Sequence, residues 1–418
     1  MHKKEAVGYS IRDRKKNKKN ILMFSFFWIL IFILISMGVM ALNKIVYRND
    51  PDSLQGSGVN TMNSDGSAKT TSILSSTANY DSARWSPDGT QIVFTRKYSY
   101  NQIYKMNGDG TNVFKVTDLG WDDKPVMSPD GTMIAYECGT TTYICTVNSD
   151  GTNRIQYNLG KNPRWSPDGT KIGYNDDYHI YIMNKDGTNN LRLVSGLYMD
   201  INPEWSSDGT KIVFMAKISS PSEQYEIYII NSDGTNLIRL TSNSAADEYL
   251  VLSLDGTKIV WQRAGANIYV MNSDGSNVKL LTSGSIDQSP QWSSDGTKIL
   301  FRRLKSASCT NTGDGKCWTI LVINSDGTGI TGLTTSYSAW GPFWQPAPCT
   351  KIRYYEDIDN DGYGSANFQD LCFPSGNYKV TQSGDCNDNN ANIRPGIAEV
   401  CNNGDDDIVR AGAVQKEF

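Results

Sequence analysis

Short apolar runs in period two, Asp-Gly turns between them, and one unit returning about every 40 residues predict an all-β chain, a β-propeller of four-stranded blades. The unit has two halves. The first reads Arg84-Trp85-Ser-Pro-Asp-Gly-Thr-Gln-Ile-Val-Phe94 and returns around Met127, Trp165, Trp205, Leu252 and Trp292. The second reads Ile103-Tyr-Lys-Met-Asn-Gly-Asp-Gly-Thr-Asn112 and returns at Ile144, Ile180, Ile227, Ile268 and Leu321. Proline fixes φ and glycine supplies φ > 0, so the Ser-Pro-Asp-Gly and Asn-Ser-Asp-Gly segments read as tight turns between antiparallel strands. The Trp position stays apolar where it becomes Met127 or Leu252, which marks it as packing. It is expected to close the innermost strand and pack against the next blade.

From the N-terminus, residues 1–20 form a basic segment that includes Arg12, Arg14, Lys15, Lys16, Lys18 and Lys19. Residues 21–42 follow as an uncharged apolar run, long enough to cross a bilayer core as a helix. The positive-inside rule keeps residues 1–20 in the cytoplasm and places everything after Asn43 outside. The expectation is a signal anchor, with a cleaved signal peptide as the alternative, since Val39-Met40-Ala41 offers a small-residue cleavage site. In the first case the protein is membrane-anchored with an extracytoplasmic (periplasmic or cell-surface) propeller; in the second it is secreted. Residues 43–58 read as a linker.

The propeller is expected over residues 59–346. It opens on an orphan second half, Val59-Asn-Thr-Met62-Asn-Ser-Asp-Gly66, and ends on an orphan first half, Pro342-Phe-Trp344-Gln-Pro346. Sharing one blade between the two ends closes a ring without free edges. Six complete units and one shared blade make seven; six blades with loose terminal strands is the alternative.

Eight cysteines fit an oxidising compartment. Cys138 with Cys145 and Cys309 with Cys317 form sequence-near pairs, and Cys349, Cys372, Cys386 and Cys401 form a tail set whose pairing stays open. No CxxC suggests a zinc ribbon or a thioredoxin-like site. The net charge is -4; the basic excess is confined to the N-terminal segment and the middle of the chain is close to neutral, so no broad basic surface points to nucleic acid.

Residues 347–418 are acidic and cysteine-rich. Asp357, Asp359 and Asp361 alternate ahead of Gly362, as in half of a calcium loop: hard oxygen ligands converge while the glycine allows a sharp turn. The twelfth loop position is Phe368 instead of Glu, so this is no EF-hand. Asp385, Asn387 and Asp388 are the candidates for the remaining Ca2+ ligands. The Asn-x-Asp-Gly-Thr-Asn turns of the repeat are read as plain hairpin turns.

Catalysis is not expected. A Gly-x-Ser-x-Gly elbow is missing, and the only histidines are His2 and His179, too few for a histidine-held channel metal. His179, next to a strand, reads as an edge or packing residue.

The repeat over residues 59–346 resembles the TolB-like, WD-repeat-like propellers of bacterial periplasmic and surface proteins. That resemblance implies a non-catalytic module binding a protein, peptide or glycan of the envelope at the channel mouth or on one face. From Tyr354 to Asp407 the tail resembles the Asp- and Cys-rich metal-binding motif of MopE-like surface proteins, sharing Gly384-Asp385-Cys386, Pro395-Gly396 and Glu399-Val400-Cys401 in order. The family continues into another Cys. Here Asp405 to Asp407 runs into Ile-Val-Arg-Ala-Gly, as a truncation or frameshift would leave it.

The expected function is therefore an extracytoplasmic binding or scaffold propeller, held to the membrane by its N-terminal helix and carrying a calcium tail. A structural surface-attachment protein driven by that tail is the alternative, and a propeller-type polysaccharide lyase or hydrolase is a third.

Overall fold

The computed structural model describes residues 44–49, 58–70, 79–118, 120–306, 317–334, 339–346, 352–356, 368–371 and 378–380. The chain divides into units Met1–Asn43 and Lys44–Phe418, and every described residue belongs to the second. The apolar run 21–42 lies outside the described residues; among those described, no helix is long and apolar enough to cross a membrane.

Six sheets of four antiparallel strands follow one another along the chain. Blade 1 shows the pattern: Asn79–Trp85 is innermost, followed outward by Gln91–Lys97, Asn101–Asn107 and the short Phe114–Lys115. Blades 2 to 6 span residues 123–159, 161–192, 199–239, 247–280 and 287–332. Short outer strands leave little unpaired edge to recruit another chain. The Ser-Pro-Asp-Gly turns join the first two strands of a blade. In blade 1 the Ser86 hydroxyl donates to Asp88 at 2.5 Å, and Asp88 accepts from the Thr90 N–H at 3.0 Å. Gly89 supplies the φ of +69° on which the turn depends.

A seventh sheet closes the ring from both ends of the repeat region. Its innermost strand is Ala339–Trp344, then Lys44–Asn49, then Gly58–Asn63. This settles seven blades over six. It also corrects the start of the propeller: Lys44–Asn49, inside the segment read as a linker, is the middle strand of the closing blade. That strand carries no Asp-Gly turn and abuts the apolar run, so the repeat signal misses it. Its Ile45, Val46 and Tyr47 are buried all the same.

The core lies between blades. Ala135 and Ile144 of blade 2, for example, pack with Trp165, Ile172, Tyr174 and Met183 of blade 3. The repeated Trp reaches backward, which corrects the expected direction. Trp165 Nε1 donates to the Val126 carbonyl at 3.1 Å, Trp205 to Arg164 at 3.3 Å, and Trp292 to Val251 at 3.1 Å, each in the preceding blade. Such an indole therefore ties two innermost strands together at the channel wall.

Cys138 and Cys145 form the expected disulfide, linking neighbouring strands of blade 2 across a Cα–Cα distance of 5.9 Å. Cys317 is also disulfide-bonded; Cys309 lies outside the described residues. In the tail, Ile352–Glu356 pairs with both Phe368–Leu371 and Tyr378–Val380 in a three-stranded sheet.

Candidate functional site

The innermost strands determine what faces the channel, and all of them are irregular at the same place. In blades 1 to 6 the pairing with the second strand slips just before the Trp position. A residue with positive φ sits at each slip: Ser82, Lys124, Asn162, Asn202, Tyr249 and Ser289. In the closing blade the slip falls opposite Gly341, which has φ +52°. Left-handed backbone at a non-glycine residue costs about 1–2 kcal/mol. Its recurrence in every blade marks a built bulge, a device that re-aims side chains.

Two layers of side chains result. Around the bulges runs a polar chain. Lys97 Nζ lies 2.8 Å from Asp81 and 3.1 Å from Asp123, and Thr95 donates to Asp123 at 2.9 Å. Lys124 meets Glu137 at 2.9 Å and Asn162 at 3.0 Å, and Asn162 donates to Asn202 at 2.8 Å. Blades 1 to 4 are tied together by these contacts, and their groups are spent on one another.

The second layer stands immediately before the Trp position, and it differs in chemistry from blade to blade. Val126, Val251 and Phe343 are apolar, whereas Arg84, Arg164, Glu204 and Gln291 are polar; all seven are half-buried. Arg164 Nε contacts Glu204 at 2.8 Å. The Arg84 guanidinium lies 4.4 Å from the Phe343 ring centroid, on the opposite side of the seam between blade 1 and the closing blade. Burial pulls Arg84 down to about 9; Arg164 adds to the fall and Glu204 opposes it.

Above this layer opens a cavity of about 250 Å³. Pro87, Pro129 and Pro167, from the Ser-Pro-Asp-Gly turns, line it together with Trp165, Trp205 and Leu254. Arg164 and Glu204 belong to the same lining. An apolar cavity with a few polar groups is the usual form of a binding site.

Asp357, Asp359, Asp361, Asp385, Asn387 and Asp388, the residues expected to hold calcium, lie outside the described residues. The first three fall between the tail strands Ile352–Glu356 and Phe368–Leu371. Among the described residues no group of three or more His, Cys, Asp or Glu side chains is placed to hold a metal. The propeller's Asp-Gly turns explain why. Asp109, for instance, accepts from both the hydroxyl and the N–H of Thr111, and these bonds hold it below the ordinary carboxylate range.

His179 is more than an edge residue. Its Nδ1 lies 3.1 Å from the buried Asp200 and 3.0 Å from Arg192. The residues that sequence reasoning missed are Arg84, Arg164 and Glu204. A signal was present: the position before the Trp changes character in every unit while its neighbours repeat, as expected of a position freed from packing.

Residues 141–347 match the family model described as the TolB beta propeller domain, PD40. The protein TolB homolog of Chlorobaculum tepidum is 32% identical over 119 residues, which are 26% of this chain and 27% of that protein. The match thus spans about a quarter of that curated relative. Among solved structures, a functionally unknown protein from Desulfotomaculum acetoxidans shares 12% identity at a TM-score of 0.54, over 73% of this chain and 99% of that one. The oligogalacturonate lyase of Vibrio parahaemolyticus shares 13% at a TM-score of 0.51, over 69% and 85%. At such identities these two structures show the fold alone.

Proposed function

We propose that this TolB-like propeller is a non-catalytic binding and scaffold protein of the cell envelope. It takes a segment of an envelope protein, peptide or glycan into the mouth of its channel. In this reading the N-terminal apolar run anchors it and the acidic tail binds calcium. The observation that carries the reading is the proline- and Trp-lined cavity with a charged pair in its wall. A likeness to a protein named TolB homolog supports the envelope setting. The non-catalytic reading is supported by the pairing of the cavity carboxylate, Glu204, with Arg164 at 2.8 Å.

The test is site-specific photo-crosslinking in envelope extract. A crosslinking residue at Ser207, which lines the cavity, should capture a defined adduct. The same residue at the outer-turn position Asp233 should not. Equal capture at both positions, or capture at Asp233 alone, refutes a channel-mouth site. The calcium assignment is tested by calorimetry on the whole chain. Binding in the range up to about millimolar, weakened by Asp359→Ala, is expected; no heat at that concentration ends it.

A further inference from the structure

The second channel layer holds two guanidinium groups and one carboxylate, and the carboxylate is already taken. Arg164 lies against Glu204 at 2.8 Å. Arg84 has no ion pair or hydrogen bond with any described residue; its contact is the face of Phe343, 4.4 Å from guanidinium carbon to ring centroid. Val126, Val251 and Gln291 at the equivalent positions bring no charge. The layer therefore carries two positive charges against one negative; Arg164 and Glu204 line the cavity, and Arg84 stands in the same layer, three residues before the lining Pro87.

Stacking uses the flat face of a guanidinium and leaves its N–H edge free. That edge matches the two oxygens of a carboxylate in a bidentate pair. A half-buried cation without an anion is a costly arrangement, and an incoming carboxylate removes the cost. Burial and the neighbouring Arg164 already depress the Arg84 guanidinium to about 9, the mark of a cation short of compensation.

We propose that the channel recognises the C-terminal carboxylate of a peptide, bound by Arg84 on the Phe343 platform, with the last apolar side chains lodged among the mouth prolines. This rests on the channel-mouth reading above and names its ligand class. A cavity of about 250 Å³ has room for one or two side chains, and a terminal carboxylate brings its charge and the last side chains to one place. The apolar lining of Pro129, Trp165 and Leu254 favours a peptide over a polyuronate, whose every ring carries hydroxyls.

The experiment uses the full chain, immobilised, and one pool of N-acetylated random hexapeptides synthesised twice, as free acids and as C-terminal amides. Retained peptides are read by mass spectrometry. Free acids should be retained about 10- to 100-fold better than their amides, the range for a charge-assisted bond. Arg84→Gln should erase that preference, and Arg84→Lys should restore part of it. If Arg84→Gln fails to fold, the acid-to-amide contrast on the unaltered chain decides by itself. Equal retention of acids and amides overturns the carboxylate proposal and leaves the channel site standing. Amides retained only when they contain Asp or Glu overturn the terminal assignment. A polyuronate that displaces crosslinking at Ser207 while no peptide is retained overturns the peptide assignment. No retention and no cavity crosslink together overturn both readings.

Discussion

Asp122 is the residue most at odds with its surroundings. It follows the loop into blade 2, is fully buried, and neither carboxylate oxygen has a hydrogen-bond partner among the described residues. Its counterparts fare better. Asp247 accepts from Trp261 and Arg263 at 2.9 and 2.6 Å, and Asp287 from Arg303 at 2.7 Å. The second strand of blade 2 offers Cys138 where those blades offer Arg263 and Arg303, and Cys138 is committed to its disulfide. Burial therefore pushes Asp122 up to about 6; Thr117, which closes no hydrogen bond with it, and the charge of Arg154 oppose the rise only in part. A raised folded value means the native state holds its proton longer than the unfolded chain does. Stability is then greatest below the unfolded value of about 4 and falls as pH rises through about 6. Asp122→Asn keeps the shape and removes the charge. Denaturant unfolding at pH 8 should show the variant more stable by about 1–3 kcal/mol, with the gap closing at pH 4. A gap independent of pH would mean that the carboxylate is solvated or paired.

At the scale of elements, the closing blade departs most from the repeat. Gln345 stands where the other blades carry the turn serine, such as Ser86, which bonds within its own turn. Gln345 instead reaches outward. Its N–H donates to the Lys44 carbonyl at 2.7 Å, its Oε1 accepts from the Lys44 N–H at 3.1 Å, and its Nε2 donates to the Gly89 carbonyl at 2.7 Å. One side chain thus clasps the N-terminal strand, the C-terminal strand and blade 1. Elsewhere an indole does this work, but Trp85 Nε1 at the seam and Trp344 Nε1, packed on blade 6, have no acceptor among the described residues. Gln345→Ala should therefore cost about 2–3 kcal/mol, from one buried and one part-buried bond lost and their partners stranded. The loss should be local: hydrogen exchange should quicken in Lys44–Asn49 and leave the second strand of blade 4 unchanged. Uniform quickening would place the closure elsewhere.

For the whole molecule, legibility in the sequence followed periodicity. The four-stranded blade, the ring and its shared seventh blade were readable because each half-unit carries its own turn chemistry and strand alternation. Lys44–Asn49 was not readable, since a single strand with no turn of its own has no period to betray it. The Trp partner direction was equally hidden, because sequence says that a side chain is apolar but not which neighbour it faces. The channel layer was half visible: Arg84 and Glu204 stand out only once one asks which repeat position varies.

Repetition also makes the pH response collective. Asp88, Asp130, Asp208, Asp255 and Asp295 in the Ser-Pro-Asp-Gly-type turns all lie below the ordinary carboxylate range, as their serine and threonine bonds outweigh desolvation. Asp150, Asp186, Asp233, Asp274 and Asp326 in the outer turns are lowered as well, chiefly by the threonine or serine two residues on. A lowered folded value contributes stability that is complete above the unfolded value and drains away as pH falls through the folded one. The window therefore opens at about pH 4 and extends downward. These turns contribute small terms of the same sign, opposed by the raised carboxyls of Asp122 and Asp200. Denaturant midpoints measured from pH 6 down to pH 3 should hold nearly level and then drop steeply below about pH 4. The drop should be one cooperative transition, because blades packed face to face share their cores. Replacing Asp186 and Asp233 by Asn should make it shallower, whereas an unchanged slope would show that the turn carboxylates are not what acid attacks.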